Sequence, residues 1–346
     1  MNGGRNVAPY PLVSVVIVNF NSGDYLVNCV ASVTAAEYPR KEVLVVDNAS
    51  SDNSVATMLA RFPQLHVVRR EVNSGYAAAA NLGIGFTKGE FIVTMNPDTL
   101  VDDRWLHELV EATYRHSHGA FFQPKILLMN NHRVLNTAGN MIHVAGFGIA
   151  RGIGQLDTEE YKEAEICYAS GACVLARRKA LQEIGLMEEL FLAYGEDKDW
   201  GWRASMMGWQ SIYVPSSKIL HDWNAALRPG KFYLLEFERQ LSIWKNYAKR
   251  TLVLLLPVLL SVETSVLLYA LTKGRFREKI KSYADLVRLR RLIIERRNTT
   301  QERRRFSDRF LISRFTTETK HPYVSAGRIV LERFVGLLFE LVRNGI

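Results

Sequence analysis

Cysteine is scarce in this chain: three residues in 346, Cys29, Cys167 and Cys173. An odd number in apolar, element-like surroundings rules against a disulfide framework or a Cys-rich zinc site, and predicts buried thiols in a reducing compartment. The first eleven residues, Met1 to Pro11, lack the apolar run of a signal peptide, so exposure to the cytosol is expected. Acidic residues are scarce at one end only. From Lys245 onwards 22 Lys and Arg stand against 9 Asp and Glu, whereas the preceding residues carry 22 against 26. A near-neutral body with a strongly basic tail points to an anionic surface as a partner of the tail alone.

The body alternates strand and helix signals. Val13 to Phe20 is an almost continuous β-branched run, the mark of a strand covered on both faces. Glu42 to Asp47, His66 to Arg69 and Phe91 to Met95 repeat it, with helices predicted from Tyr25, after the Asn48–Ser54 turn, and over the Ala-rich stretch Tyr76 to Phe86. Such spacing implies a mainly parallel α/β sheet with right-handed crossovers. Asp102 and Asp103 read as the start of a helix running to His116, and His116 and His118 as surface residues at its end. Phe121 to Leu128 and Cys167 to Ala176 read as strands, and Gln210 to Val214 as a short one closed by a Pro-Ser-Ser turn. The Gly-rich stretch Gly139 to Gly154 is expected to form a hairpin or loop, because no strand-to-helix transition frames it as a phosphate cradle.

Two constellations carry chemistry. In Phe91-Ile-Val-Thr-Met-Asn-Pro-Asp98, Pro97 ends the ladder and presents Asp98 at the carboxyl end of a strand. That is where open α/β sheets bind ligands, and a carboxylate there suits a hard cation carrying a diphosphate. In Gly195-Glu-Asp-Lys-Asp-Trp-Gly-Trp-Arg203, three carboxylates crowd a helix start beside Trp200 and Trp202. Helix-dipole complementarity explains the charge but not the tryptophans, and an aromatic-walled acidic pocket suits a sugar. His221 follows a strand and stays a candidate ligand.

The tail reads as amphipathic over Phe232 to Tyr247, then as 20 mostly apolar residues, Leu252 to Leu271, long enough to span a bilayer. Glu263 in its middle would cost roughly 2.5–3.5 kcal/mol to insert. Pro257 divides it, and basic groups flank both ends. An interfacial or re-entrant helical pair on anionic headgroups is therefore expected, peripheral or monotopic on the cytoplasmic side of the cell membrane. Nucleic acid is not expected as a partner, since the tail has no aromatic-interleaved platform.

Val15-Val-Ile-Val-Asn-Phe-Asn21, Val45-Val-Asp-Asn-Ala-Ser-Ser-Asp52, Asn73-Ser-Gly-Tyr76, Asn81-Leu-Gly-Ile84, Met95-Asn-Pro-Asp-Thr99, Ser170-Gly-Ala172 and Gly195-Glu-Asp-Lys-Asp199 with Arg203 appear in that order. Together they resemble the family 2 glycosyltransferases, and most closely their rhamnosyltransferase-like branch. The resemblance covers roughly residues 13–222. It implies a GT-A fold over residues 1–230, with residues 231–346 as a basic, membrane-associated helical region.

It further implies that Val18, Phe20, Asp47, Gly75 and Asn96 hold a nucleotide-diphospho-sugar. Asp98 and His221 would hold Mg²⁺ or Mn²⁺, Asp197 would be the catalytic base assisted by Glu196, and Gly171, Ala172 and Trp200 would face the acceptor sugar. One departure is that the family's Asp-x-Asp is here Asn96-Pro97-Asp98, with a single carboxylate. The implied reaction is inverting transfer to a glycan or polyprenyl-linked acceptor in surface-polysaccharide assembly. Crowding among Glu196, Asp197 and Asp199 is expected to raise the proton affinity of one of them. The alternatives are a sugar-1-phosphate nucleotidyltransferase, which would need a Gly-rich basic loop where Asn21-Ser-Gly-Asp24 stands, and a catalytically silent nucleotide-sugar-binding scaffold at the membrane.

Overall fold

The computed structural model describes residues 10–223, 230–318, 328–343 and 345–346. The chain alternates β1 (Val13–Asn19), α1 (Asp24–Ala35), β2 (Lys41–Asp47), α2 (Ser54–Arg61), β3 (His66–Arg69), α3 (Tyr76–Gly85) and β4 (Phe91–Met95). There follow β5 (Thr99–Val101), α4 (Trp105–Arg115), β6 (Gly119–Leu128), β7 (Asn131–Thr137), β8 (Asn140–Ile142), β9 (Gly148–Ala150), β10 (Ala164–Ile166) and β11 (Cys173–Arg177). Next come α5 (Arg178–Ile184), α6 (Glu196–Met206) and β12 (Gln210–His221), and then, among the described residues, only helices. These are α7 (Lys231–Asn246), α8 (Lys249–Leu254), α9 (Leu256–Thr272), α10 (Phe276–Arg288), α11 (Arg290–Glu302), α12 (Asp308–Ile312) and α13 (Arg328–Arg343).

The main sheet has the order β10-β12-β6-β11-β4-β1-β2-β3. Pairs β1–β2, β1–β4, β2–β3 and β6–β12 are parallel, and β11 runs antiparallel between β4 and β6. All seven residues of β1 are buried because both faces are covered. Val13, Val15 and Ile17 pack with Leu26, Val30 and Leu106 beneath the sheet, while Val16 and Val18 pack with Ala77, Ala80 and Ile84 above it. A strand with no solvent face has no reason to alternate polar and apolar residues, hence the unbroken apolar run.

Two expectations change in detail and a third holds. The strand read over Cys167 to Ala176 begins only at Cys173, and Ser170-Gly171-Ala172 is a turn ahead of it. The turn expected at Pro215-Ser-Ser217 is instead an irregularity inside one twelve-residue strand, whose register with β6 shifts between Val214 and Lys218. Proline has no N–H for the ladder, so it loosens the pairing locally without ending the strand. The Gly-rich stretch folds as the expected hairpin, β8 against β9.

The tail packs on the body, with Lys245 of α7 2.7 Å from Asp199 and the Tyr247 ring edge-on to Trp202, and charge ties its own helices together. Glu263 of α9 faces Arg239 of α7 at 2.6 Å, with Gln240 Nε2 at 2.7 Å and with Lys279 and Tyr283 of α10 alongside. Glu236 joins Arg239 at 2.7 Å and Lys279 at 2.5 Å, so two buried cations meet two carboxylates. The charge that counted against bilayer insertion is therefore an internal docking contact, and it lowers the Glu263 pKa to about 2 although burial works the other way. No helix among the described residues is long and apolar enough to cross a membrane. The tail nevertheless exposes Val253, Leu256, Leu260, Leu268 and Leu271.

Candidate active site

Two cavities adjoin at the carboxyl ends of the parallel strands. The first, about 550 Å³, is lined by Val18, Phe20, Tyr25, Asn48, Asn73, Gly75, Asn96, Asp98 and Asp222. The second, about 470 Å³, is lined by Gly171, Ala172, Glu196, Asp197, His221 and residues of the β7–β9 region. Tyr76, Asn96 and Ala193 belong to both walls. Thus Asp98 and Asp197, 99 positions apart in the sequence, open into neighbouring chambers of one cleft.

The first chamber is built from turn chemistry. Asn19 Nδ2 donates to Asp47 Oδ1 (3.3 Å), Ser50 Oγ (3.0 Å) and Ser54 Oγ (2.9 Å), tying β1 to the loop after β2. Asp47 Oδ1 also accepts the Ser50 N–H at 3.2 Å. Asp47 itself does not line the chamber: it sits one residue behind the wall, and Asn48 faces the space instead. Asn48 Nδ2 donates to Asn73 Oδ1 (2.9 Å) and to Gly75 O (3.2 Å). Gly75 has φ +88° and ψ 167°, a region open only to glycine, and a Cβ there would lie 2.4 Å from Leu192 O. The Tyr76 N–H donates to that same carbonyl at 3.2 Å, which fixes the loop that walls both chambers.

Topology brings Asp98 to His221. Strand β5 pairs antiparallel with β12, Thr99 opposite His221, and Asp222 N–H donates to Asp98 O at 3.0 Å. His221 Nε2 lies 3.5 Å from Asp98 Oδ1, an oxygen that is buried and has no hydrogen-bond partner. His221 Nδ1 lies 2.9 Å from Asn136 Oδ1. An amide oxygen only accepts, so Nδ1 is the donor in that bond, and Nε2 is the ring nitrogen turned towards Asp98. An orphaned carboxylate oxygen beside an imidazole nitrogen fits a divalent cation completed by phosphate and water oxygens. No group of three or more His, Cys, Asp or Glu that could hold a metal exists among the described residues.

The second chamber holds the carboxylate pair. Gly195, in the left-handed region at φ +81°, turns the chain into α6. Asp197 Oδ2 accepts the Gly171 N–H (2.8 Å) and Oδ1 accepts the Lys198 N–H (2.7 Å). Burial raises the Asp197 pKa, and these two N–H bonds oppose the rise. Glu196 Oε2 is buried without a partner, and burial with the neighbouring Asp197 charge pushes its pKa up to about 8. The expected crowding thus reduces to this pair. Asp199 points away, bound by Arg203 (2.8 Å), Lys245 (2.7 Å) and Asn246 (2.9 Å). Burial would raise its pKa, but the Lys245 and Arg203 charges prevail and hold it at about 2.

Trp200 must be corrected as a sugar platform. It is buried in the core, its ring 4.5 Å from that of Phe121 and its Nε1 donating to Gly185 O at 2.9 Å. Trp202 is buried as well, edge-on to Tyr247. Two residues apart, they point to nearly opposite sides of α6, Trp200 into the core with Phe121 and Trp202 into the core shared with the tail helices. The aromatic wall of the chamber comes instead from Tyr76, Tyr168, Tyr194 and Trp223, joined by Asn136 and Asn140. Nothing local in the sequence singles these out, because strand pairing and the β8–β9 hairpin carry them to the site.

A cleft with a nucleotide-sized chamber and a second chamber bearing a carboxylate pair, at the ends of a mainly parallel sheet, defines a glycosyltransferase of the GT-A fold. Residues 14–185 match the family model "Glycosyl transferase family 2", so the chain carries a glycosyltransferase domain of that family.

The chain is 27% identical over 233 residues to N-acetylglucosaminyl-diphospho-decaprenol L-rhamnosyltransferase of Mycobacterium tuberculosis, covering 61% of this chain and 76% of that protein. It is 25% identical over 207 residues to poly-beta-1,6-N-acetyl-D-glucosamine synthase of Staphylococcus epidermidis, covering 59% of this chain and 48% of that one. Among solved structures it resembles GalNAc-T7 with UDP, GalNAc and Mn²⁺ (TM-score 0.59, 15% identity, 81% of this chain and 58% of that chain). It also resembles a mannosyltransferase from Pyrobaculum calidifontis with GDP-Man and Mn²⁺ (TM-score 0.50, 16% identity, 81% and 76%). These two likenesses concern the fold alone.

Proposed function

We propose that the protein is a divalent-metal-dependent inverting glycosyltransferase that moves a sugar, rhamnose in the first instance, from a nucleoside diphosphate to a glycan or polyprenyl-linked acceptor in cell-envelope polysaccharide assembly. The observation that carries this reading is the shared wall of the two chambers, with Asp98 lining the first, Asp197 and His221 the second, and His221 reaching to 3.5 Å from Asp98. The sugar and the lipid-linked acceptor come from the name of the mycobacterial relative, and the metal from the Mn²⁺ in the two solved neighbours.

Val18, Phe20 and Asn48 border the nucleotide, and Asn73, Gly75 and Asn96 border the phosphates and sugar. Asp98 and His221 Nε2 would hold Mg²⁺ or Mn²⁺. Bound there, the ion supplies Lewis-acid neutralisation of the departing diphosphate. Asp197 takes the proton of the acceptor hydroxyl, held in place by the Gly171 and Lys198 N–H groups. A single displacement with base and leaving group on opposite faces inverts the anomeric carbon. Glu196, protonated around neutrality, offers an O–H to the acceptor or to Asp197.

The tail supports peripheral attachment to the cytoplasmic face of the membrane. Exposed Leu256, Leu260, Leu268 and Leu271 lie among exposed Lys249, Arg250, Lys273 and Arg277, giving an apolar and a cationic signal together. The three free, buried thiols suit a reducing compartment.

The test is to incubate the purified protein with uridine, guanosine and thymidine diphosphate sugars and a polyprenyl-diphosphate-linked acceptor, with Mn²⁺ or with chelator. Metal-dependent release of nucleoside diphosphate with a glycosylated product is expected. Pyrophosphate release, or equal turnover in chelator, would sink the reading.

A further inference from the structure

Helix α6 has two working sides. Glu196 and Asp197 open into the second chamber, while Lys198 and Asp199 face α7, contributed by the tail. Lys198 is buried, and its Nζ reaches Glu238 Oε2 of α7 at 2.5 Å and also the Gly146 carbonyl. Glu238 presses on the start of the same helix: a Cβ on Gly195 would lie 2.5 Å from Glu238 Oε2 and 2.9 Å from its Cβ. One carboxylate of the tail therefore contacts the turn entering α6 and the third residue of the helix, bracketing the Glu196–Asp197 pair. Glu238 also borders the chamber itself.

We propose that Glu238 is a positioning residue for the Glu196–Asp197 pair: it clamps Lys198, whose backbone N–H holds Asp197 Oδ1, and so aims the pair across the acceptor chamber. This rests on the glycosyltransferase reading above, and it gives the tail a part in catalysis beyond attachment. Lys198 is a buried cation that needs a counter-charge, and only Glu238 among the described side chains forms an ion pair with it. Without that carboxylate, Lys198 must turn towards Asp197 and Glu196 or leave the interior, and either movement disturbs the N–H to Asp197. The titratable and charged groups facing Glu238 are Lys198, Glu196 and Asp197 of α6, Glu236 of α7 and Tyr168, with Lys231 lining the same chamber.

The experiment compares the full-length protein with Glu238→Gln and Glu238→Asp. Misplacing a reacting group by about 1 Å costs up to ~100-fold, so kcat of Glu238→Gln is expected to fall ~10–100-fold. KM for the nucleotide sugar, bound in the other chamber, should stay within about twofold. Glu238→Asp should recover part of the loss. Removing one negative charge next to the pair also favours its ionised forms, so the acid limb of the kcat–pH profile moves to lower pH. A residue that only stabilised the fold would lower the melting temperature and leave this limb in place.

The same shift can be read without turnover, as the pH at which the protonated-carboxyl infrared band assigned to Glu196, by its loss in Glu196→Gln, disappears. An unmoved band and limb, or wild-type kcat in Glu238→Gln, would overturn the proposal. If the wild-type protein transfers no sugar, the functional reading falls and the infrared shift alone decides the role of Glu238. Should Glu238→Gln fail to fold, Glu238→Asp carries the test: a lower kcat at unchanged donor KM supports the role, and wild-type kcat overturns it.

Discussion

Gly75→Ala isolates the wall between the two chambers. The backbone there, φ +88° and ψ 167°, is a region that costs an L-residue about 1–3 kcal/mol. The new methyl would also sit 2.4 Å from Leu192 O, roughly 1 Å inside ordinary carbon–oxygen contact, against backbone that cannot rotate away. Overpacking of this kind costs about 1–3 kcal/mol more, so a total loss of ~2–5 kcal/mol is expected. The relief available is displacement of Leu192 and Ala193, which breaks the Tyr76 N–H bond to Leu192 O and shifts the wall of both chambers.

Calorimetric unfolding gives the stability change, and titration calorimetry with nucleoside diphosphate and Mn²⁺ gives the affinity, both from one preparation. Gly85→Ala is the control. That residue ends α3, is exposed, and has open space where its Cβ would go, so the same chemical change should leave stability equal or raised by ~0.4–1 kcal/mol. If Gly75→Ala matched Gly85→Ala in stability and still bound nucleotide like the wild type, the account of the wall would be wrong.

Asp197→Asn keeps the shape but cannot accept a proton, so kcat should fall ~10²–10⁴-fold with donor affinity near that of the wild type; retained turnover would remove Asp197 as the base. Trp200→Phe should leave the acceptor KM unchanged and Trp200→Ala should cost ~3–5 kcal/mol of stability, whereas a selective rise in acceptor KM would restore the ring as a sugar contact. Asp199 has a folded pKa of about 2 against an unfolded value of 3.8, so its ionisation contributes stability above pH 3.8 that disappears as pH falls through about 2. In Asp199→Asn the steep acid loss of stability between those values should flatten, a difference of roughly 2–3 kcal/mol read from denaturant midpoints. Glu196 has the opposite sign: raised to about 8, its burial weakens the fold as pH climbs from 4.5 towards 8. Leu256→Glu with Leu260→Glu should lower co-sedimentation with phosphatidylglycerol vesicles, and binding that ignored both the substitutions and the salt concentration would exclude this face as the contact.

Local chemistry made much of the molecule legible in one dimension. β-Branched runs announced β1, β2 and β4 because those strands have no solvent face, and turn residues announced the loops that line the first chamber. The Asn96-Pro97-Asp98 turn stands where proline should end a strand, and the Gly139–Gly154 stretch forms a hairpin as its composition implied.

Facing was not legible, since it depends on what arrives from elsewhere in the chain. In Glu196-Asp-Lys-Asp199 the charges look alike in the sequence, yet two open into a cavity and two dock on α7, because Glu238, Lys245 and Asn246 come from forty to fifty residues further on. Trp200 and Trp202 looked like a sugar wall until packing of α6 on Phe121, Tyr247 and Gly185 turned them inward. Glu263 looked like a penalty for entering a bilayer, and its Arg239 and Lys279 neighbours make it an internal contact instead.

The sequence by itself determined which segments become strand, helix and turn, through periodicity and backbone preference that act within a few residues. Tertiary structure alone decided which side chains meet, because burying a charge or a ring is favourable only where a complementary group from a distant segment is already in place.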